Sequence, residues 1–286
     1  MTAMTATARV AYLHHSTGEV VWAGGMPRRL YKLWDRLVPN VVKGWARPVW
    51  LGGVQEFIGS WNDAHGTRYR ITELTYPATT GGYPWANDPY DYWNLWVAHS
   101  GASRDRGELN LDDLVKDYDI IVFKHCFSVS RIEADGEQAS VSSEEQTLAN
   151  YKLQYQALKA RLHQFPAKRF IVWTGPALVR AASTPENARR AQQFFDWVKS
   201  SWDQKGDNIF VWDFYSLEAD QEGFLDPANA SAVDNSHPRA RFARTVAPLI
   251  GRRIVDVIEG RGDTASFTGR PDEARVPPEM VRASGR

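Results

Sequence analysis

Two short segments hold residue types at spacings that can do hydrolytic chemistry. In Asp234-Asn235-Ser236-His237-Pro238 an acid and a histidine stand three positions apart near the end of the chain, close enough for the acid to orient the imidazole. In His14-His15-Ser16-Thr17-Gly18 a serine follows the apolar run Val10-Ala11-Tyr12-Leu13. Ester cleavage by a serine needs a hydroxyl activated by a base, a group that orients the base, and donors aimed at the developing oxyanion. Ser16, His237 and Asp234 fill the first three roles. The segments lie about 220 residues apart, so this reading also makes a claim about topology: first strand and last helix must meet.

The elements that would bring them together can be read from the apolar pattern. Val10 to Leu13, Tyr69 to Leu74, Tyr118 to Phe123, Phe170 to Thr174 and Ile209 to Phe214 are short and rich in β-branched and aromatic residues, as buried strands are. Longer helical stretches separate them, which predicts an α/β fold with a five-stranded parallel sheet and right-handed crossovers, a doubly wound three-layer α/β/α sandwich. In such sheets sites form beyond the carboxyl ends of the strands, which is where Ser16 would sit. Ser142-Ser143-Glu144-Glu145 reads as the capped start of a helix through Tyr151, Tyr155, Leu158 and Leu162. Thr184-Pro185-Glu186 starts another. Pro238 opens the last, with Phe242, Val246, Ile250 and Ile254 on its apolar face, and leaves His237 in the preceding loop. One domain over 8–259 is expected, with insertions at about 18–65 and 77–102 and short helices near Leu30 to Leu37 and Val54 to Ala64. The segment 260–286, rich in Gly, Pro, Arg and Asp, reads as a flexible tail.

With a serine after strand one and an Asp-x-x-His before the final helix, the chain resembles the SGNH hydrolases, the GDSL-type esterases and lipases. The resemblance spans about Val10 to Ile258 and is nearest to a poorly characterised bacterial branch with His-His-Ser in place of Gly-Asp-Ser. It implies a flavodoxin-like topology, an esterase of the Ser-His-Asp type, Ser16 as nucleophile and its N–H as one oxyanion donor. It also implies a glycine N–H after strand two, for which Gly81 or Gly82 is the nearest match. The family's oxyanion Asn after strand three is missing from Lys124-His125-Cys126-Phe127-Ser128. His125 or Ser128 could donate instead, or Asn87 or Asn94, and His15 could contact substrate. The substrate implied is an acyl or acetyl ester of a carbohydrate or other small metabolite. An acyltransferase on the same fold, or an inert ligand-binding module, are the alternatives.

Composition narrows the classes. Lys plus Arg (34) balance Asp plus Glu (34), and without a basic stripe nucleic acid is not an expected partner. The 286 residues contain one cysteine, Cys126, so no internal disulfide framework forms, and a small buried hydrophobe is its ordinary role. No apolar run is long enough to cross a membrane, and no secretory leader is visible, so the expected location is cytoplasmic. His14 and His15 would point to opposite faces of a strand; no metal and no cofactor is expected. The aromatic segment Tyr83, Trp85, Tyr90, Tyr92, Trp93 and Trp96 suits either loop packing or a sugar or aryl site. Lys124, Arg131 and Arg239 are candidates for an anionic group. Asp213 is expected to cap or orient a loop; Trp173-Thr174-Gly175-Pro176 is expected mainly to make a sharp turn at its glycine, and could also wall the pocket.

Overall fold

The computed structural model describes residues 6–25, 53–78, 86–101 and 104–273. β1 (Thr7–His14), β2 (Arg68–Thr75), β3 (Ile120–Phe123), β4 (Arg169–Trp173) and β5 (Ile209–Trp212) form one parallel sheet in the order β2-β1-β3-β4-β5. That is the flavodoxin-like doubly wound order. All five apolar segments are strands, their ends shifted by three residues or fewer from the sequence reading.

The two-residue period of these strands sorts their side chains into two cores. Val10, Tyr12, Val122, Ile171, Trp173 and Trp212 pack with Trp22, Ile58, Phe242, Val246, Ile250 and Ile254 on one face. Ala11, Leu13, Ile121, Phe123, Val172 and Val211 pack with Leu114, Tyr151, Tyr155, Leu158 and Phe194 on the other. Helices Thr17–Trp22, Val54–His65 and Ala240–Ile258 therefore cover one side, and Leu111–Asp117, Leu148–Leu162 and Pro185–Trp197 the other. The result is a three-layer α/β/α sandwich. No helix among the described residues is long and apolar enough to cross a membrane.

Local signals went astray in three places. The first helix of the second half starts at Leu148, with the Thr147 side chain accepting from the Asn150 N–H, five residues beyond the expected Ser142-Ser143 start. Those serines bond locally instead: Ser143 Oγ accepts the Glu145 N–H, and Gln154 Nε2 donates to the Ser143 carbonyl. Pro238 does not open the last helix. It ends β7 (Asn235–Pro238), antiparallel to β6 (Ala230–Ala232), and the helix starts at Ala240. Finally, the part of the tail that is described, 260–273, packs onto the domain rather than leaving it. Arg253 Nη1 donates to the Gly262 carbonyl, the Asp213 N–H to Phe267 and Trp212 Nε1 to Thr268. A Cβ on Gly262 would lie 2.4 Å from Phe210 Cε1, so glycine is what lets the chain approach β5 closely. The expected Leu30 to Leu37 helix lies outside the described residues.

Candidate active site

β1 delivers Ser16 to the carboxyl edge of the sheet, at the turn into the helix Thr17–Trp22. Ser16 has φ 50 and ψ −106, a conformation that costs a non-glycine residue about 1–3 kcal/mol and clusters at functional sites. Tight packing beneath the turn maintains it: a Cβ on Gly18 would lie 2.4 Å from His14 Cβ and 2.8 Å from Lys124 Cδ. Ser16 Oγ is hydrogen-bonded to His237 Nε2, so residues 221 apart in sequence meet, as the topology claim required.

The orienting group is not the expected one. β6 and β7 pair Ala232 with Asn235, leaving Val233 and Asp234 as the tip of a two-residue hairpin turn, both exposed. Along a strand, residues two apart share a face and residues three apart do not. Asn235 and His237 therefore stand together, while Asp234 lies outside the strand, exposed at the hairpin tip. Asn235 Oδ1 lies 2.8 Å from His237 Nδ1 and accepts the His237 backbone N–H at 3.0 Å. The main-chain donor settles which end of the amide faces the ring. Because that end is the carbonyl, Nδ1 carries the proton and the Nε2 lone pair faces Ser16. Burial lowers the His237 pKa, and the positive charge of Lys124 lowers it further, both favouring the neutral imidazole. Phe127 packs edge-on to the ring at 5.0 Å. On the far side of β7, Ser236 Oγ accepts the Val179 N–H at 3.0 Å and ties the hairpin to the segment after β4.

Among the described residues the Ser16 N–H has no hydrogen-bond acceptor. Gly81 and Gly82 lie outside those residues. The other candidates are committed elsewhere. Asn87 is fully buried and its Nδ2 donates to the Tyr76 carbonyl. Asn94 Nδ2 donates to Asp105, and Ser128 Oγ to the Ala86 carbonyl. His125 is buried against Tyr92 and Tyr155, bonds Tyr155 through Nε2 and has its pKa pulled to about 3 by burial. His15 Nε2 donates to the Pro77 carbonyl, and burial holds its pKa at about 4. His14 reaches Glu73 on β2. The four histidines thus take separate partners, and no three His, Cys, Asp or Glu side chains among the described residues converge as a metal site would require.

Of the candidate cations, Arg239 donates to the Ala230 carbonyl and braces the hairpin. Lys124 is buried, its Nζ donating to the His15 carbonyl at 3.1 Å and lying 3.6 Å from Cys126 Sγ. Asp213 accepts from Thr174 Oγ1, Ser216 Oγ and Lys199 Nζ, the loop-orienting role expected of it. Trp173 is buried among Tyr12, Trp212 and Phe214, and so belongs to the core. Tyr92 and Trp96 are core residues as well, Trp96 Nε1 donating to Tyr76 OH at 2.6 Å, so these two rings serve packing, while Tyr90 and Trp93 are half-buried. Tyr83 and Trp85 lie outside the described residues. The residue that sequence reasoning passed over is Asn235. An Asn-x-His spacing was its only trace, and that is informative only once the segment is known to be a strand.

No protein-family model matches the chain, and no curated protein matches it at significant similarity.

Proposed function

We propose that this protein is a serine hydrolase that cleaves an ester, with Ser16 as nucleophile, His237 as general base and Asn235 as the orienting group. The observation that carries the reading is the Ser16 Oγ to His237 Nε2 hydrogen bond, with Asn235 Oδ1 on Nδ1. A neutral imidazole with its Nε2 lone pair on the hydroxyl is poised to take the proton as Oγ attacks the carbonyl carbon. The carbonyl oxygen becomes an oxyanion within reach of the Ser16 N–H. His237 then gives its proton to the leaving alkoxide, and water, activated by the same imidazole, releases the acid from the acyl-enzyme. An amide in the third position orients the base without a charge, as in Cys-His-Asn sites.

The resemblance to SGNH hydrolases supports the same reading and points to an acyl or acetyl ester of a carbohydrate or other small metabolite. Labelling with a fluorophosphonate, followed by peptide mapping, tests it. Adduct at Ser16 of the wild type, absent from Ser16→Ala, is the expected result. A wild type that takes no label would leave an inert ligand-binding module as the better account. Comparing hydrolysis with transfer to added alcohols separates esterase from acyltransferase.

A further inference from the structure

Lys124 sits at the end of β3 with 1% of its surface exposed. Such a residue is costly to bury unless it has a partner, yet no carboxylate among the described residues lies within ion-pair distance of it. Its Nζ donates to the His15 carbonyl at 3.1 Å, and the Cys126 sulfur is 3.6 Å away. Burial pulls its pKa down, while Cys126 and Glu218 oppose that shift.

The acceptor is the informative part. The carbonyl of His15 and the N–H of Ser16 belong to one planar, trans peptide group and point in opposite directions. A donor that holds the oxygen from inside the protein therefore aims the N–H outward. The Gly18 N–H takes the other lone pair of the same oxygen at 2.9 Å, but it belongs to the turn it would be stabilising. Lys124 directly follows β3, and its backbone carbonyl accepts from Tyr92 OH at 2.9 Å. The positive φ of Ser16 means that turning this peptide over would relieve strain while withdrawing the N–H. A cation on the carbonyl resists that rotation and polarises the N–H, because donors and acceptors in series strengthen one another.

Resting on the serine-hydrolase reading, we propose that Lys124 is a positioning residue: through the His15 carbonyl it holds the peptide whose N–H, that of Ser16, receives the oxyanion. The reaction thereby gains a rigid donor where the end of β3 supplies no Asn.

The experiment compares wild type, Lys124→Met and Lys124→Gln on a p-nitrophenyl ester, with thermal melting of each and the NMR shift of the Ser16 amide nitrogen. Met is nearly isosteric and removes a buried amine, so its melting temperature should stay at or above that of wild type. Its kcat should fall at least tenfold with KM changed less than threefold. Gln keeps one N–H donor without charge and should recover part of the kcat. The Ser16 amide shift should move in Lys124→Met beyond the change at residues remote from Lys124. A kcat within twofold of wild type in Lys124→Met, a loss confined to KM, or a Gln variant no better than Met would overturn the proposal. Should the wild type neither turn over ester nor label at Ser16, the hydrolase reading has failed, and the amide shift alone decides whether Lys124 holds the peptide: an unmoved shift overturns it.

Discussion

In the proposed reaction, the chemistry at Ser16, His237 and Asn235 depends on which lone pair faces which proton. Ser16→Ala and His237→Ala should each lower turnover by several orders of magnitude on a p-nitrophenyl ester. The double variant should cost little more than either, because the two act as a unit. Asn235→Ala should cost roughly tenfold to a hundredfold in kcat, part of the 10²–10⁴-fold that general-base catalysis supplies, whereas Asp234→Ala should stay within about twofold because that side chain stands in solvent at the hairpin tip. The pH profile follows from His237. Its pKa is lowered by burial and by Lys124, and only the neutral ring accepts the serine proton. As pH falls through that lowered value His237 protonates and kcat/KM drops, so the acid limb should be centred below the ordinary histidine value of about 6.5. Asn235→Asp should move the limb upward, since a carboxylate favours the imidazolium. A limb at or above 6.5 in the wild type would contradict the placement of His237.

Elements supply the precision. The turn that carries Ser16 tolerates only glycine at 18, where any Cβ would collide with His14 Cβ and the Lys124 side chain. Gly18→Ala should therefore abolish labelling of Ser16 and lower the melting temperature, as overpacking of about 1–3 kcal/mol would. The short helix Pro89–Trp93 offers a contrasting case. Its cap, Asp88, accepts the Tyr90 N–H and Gln146 Nε2, yet burial, aided by the nearby Asp91 charge, raises its pKa to about 7. A carboxyl whose folded pKa is raised stabilises fully below its unfolded value of about 3.9, and that contribution is lost as pH rises through about 7. Asp88→Asn, which retains the acceptor, should gain on wild type between pH 5 and 8, by about 1 kcal/mol or more. Urea unfolding at the two pH values would reveal it, and an unchanged difference would count against the shift.

On the scale of the molecule, one sheet with two covered faces determines both stability and site. Residues 260–273 are part of this assembly. Ending the chain at Glu259 would remove the partners of Arg253 Nη1, the Asp213 N–H and Trp212 Nε1. At about 1 kcal/mol for each bond and more for the Phe267 side chain, that truncation should cost about 3–5 kcal/mol, a large share of a typical total. Chemical unfolding of chains ending at 259 and at 273 would measure it, and equal midpoints would return the segment to the status of a loose tail. The sequence by itself determined the five strands, because runs such as Ile120-Ile121-Val122-Phe123 are apolar on both faces and too short for helices. It determined the alternation that makes the sheet parallel, and it pointed to Ser16 and His237 through their places at its two ends. Only the tertiary structure decided that Asn235 rather than Asp234 serves the imidazole. That depends on whether 235–238 is a strand, and pairing with Ala230–Ala232 settles it where local propensity cannot. The roles of Lys124, Asn87 and His125 were decided in the same way. Whether a polar side chain beyond a strand end reaches a substrate or a neighbour depends on which segment packs against it, and the partners of Lys124 and His125, His15 and Tyr155, are remote in sequence.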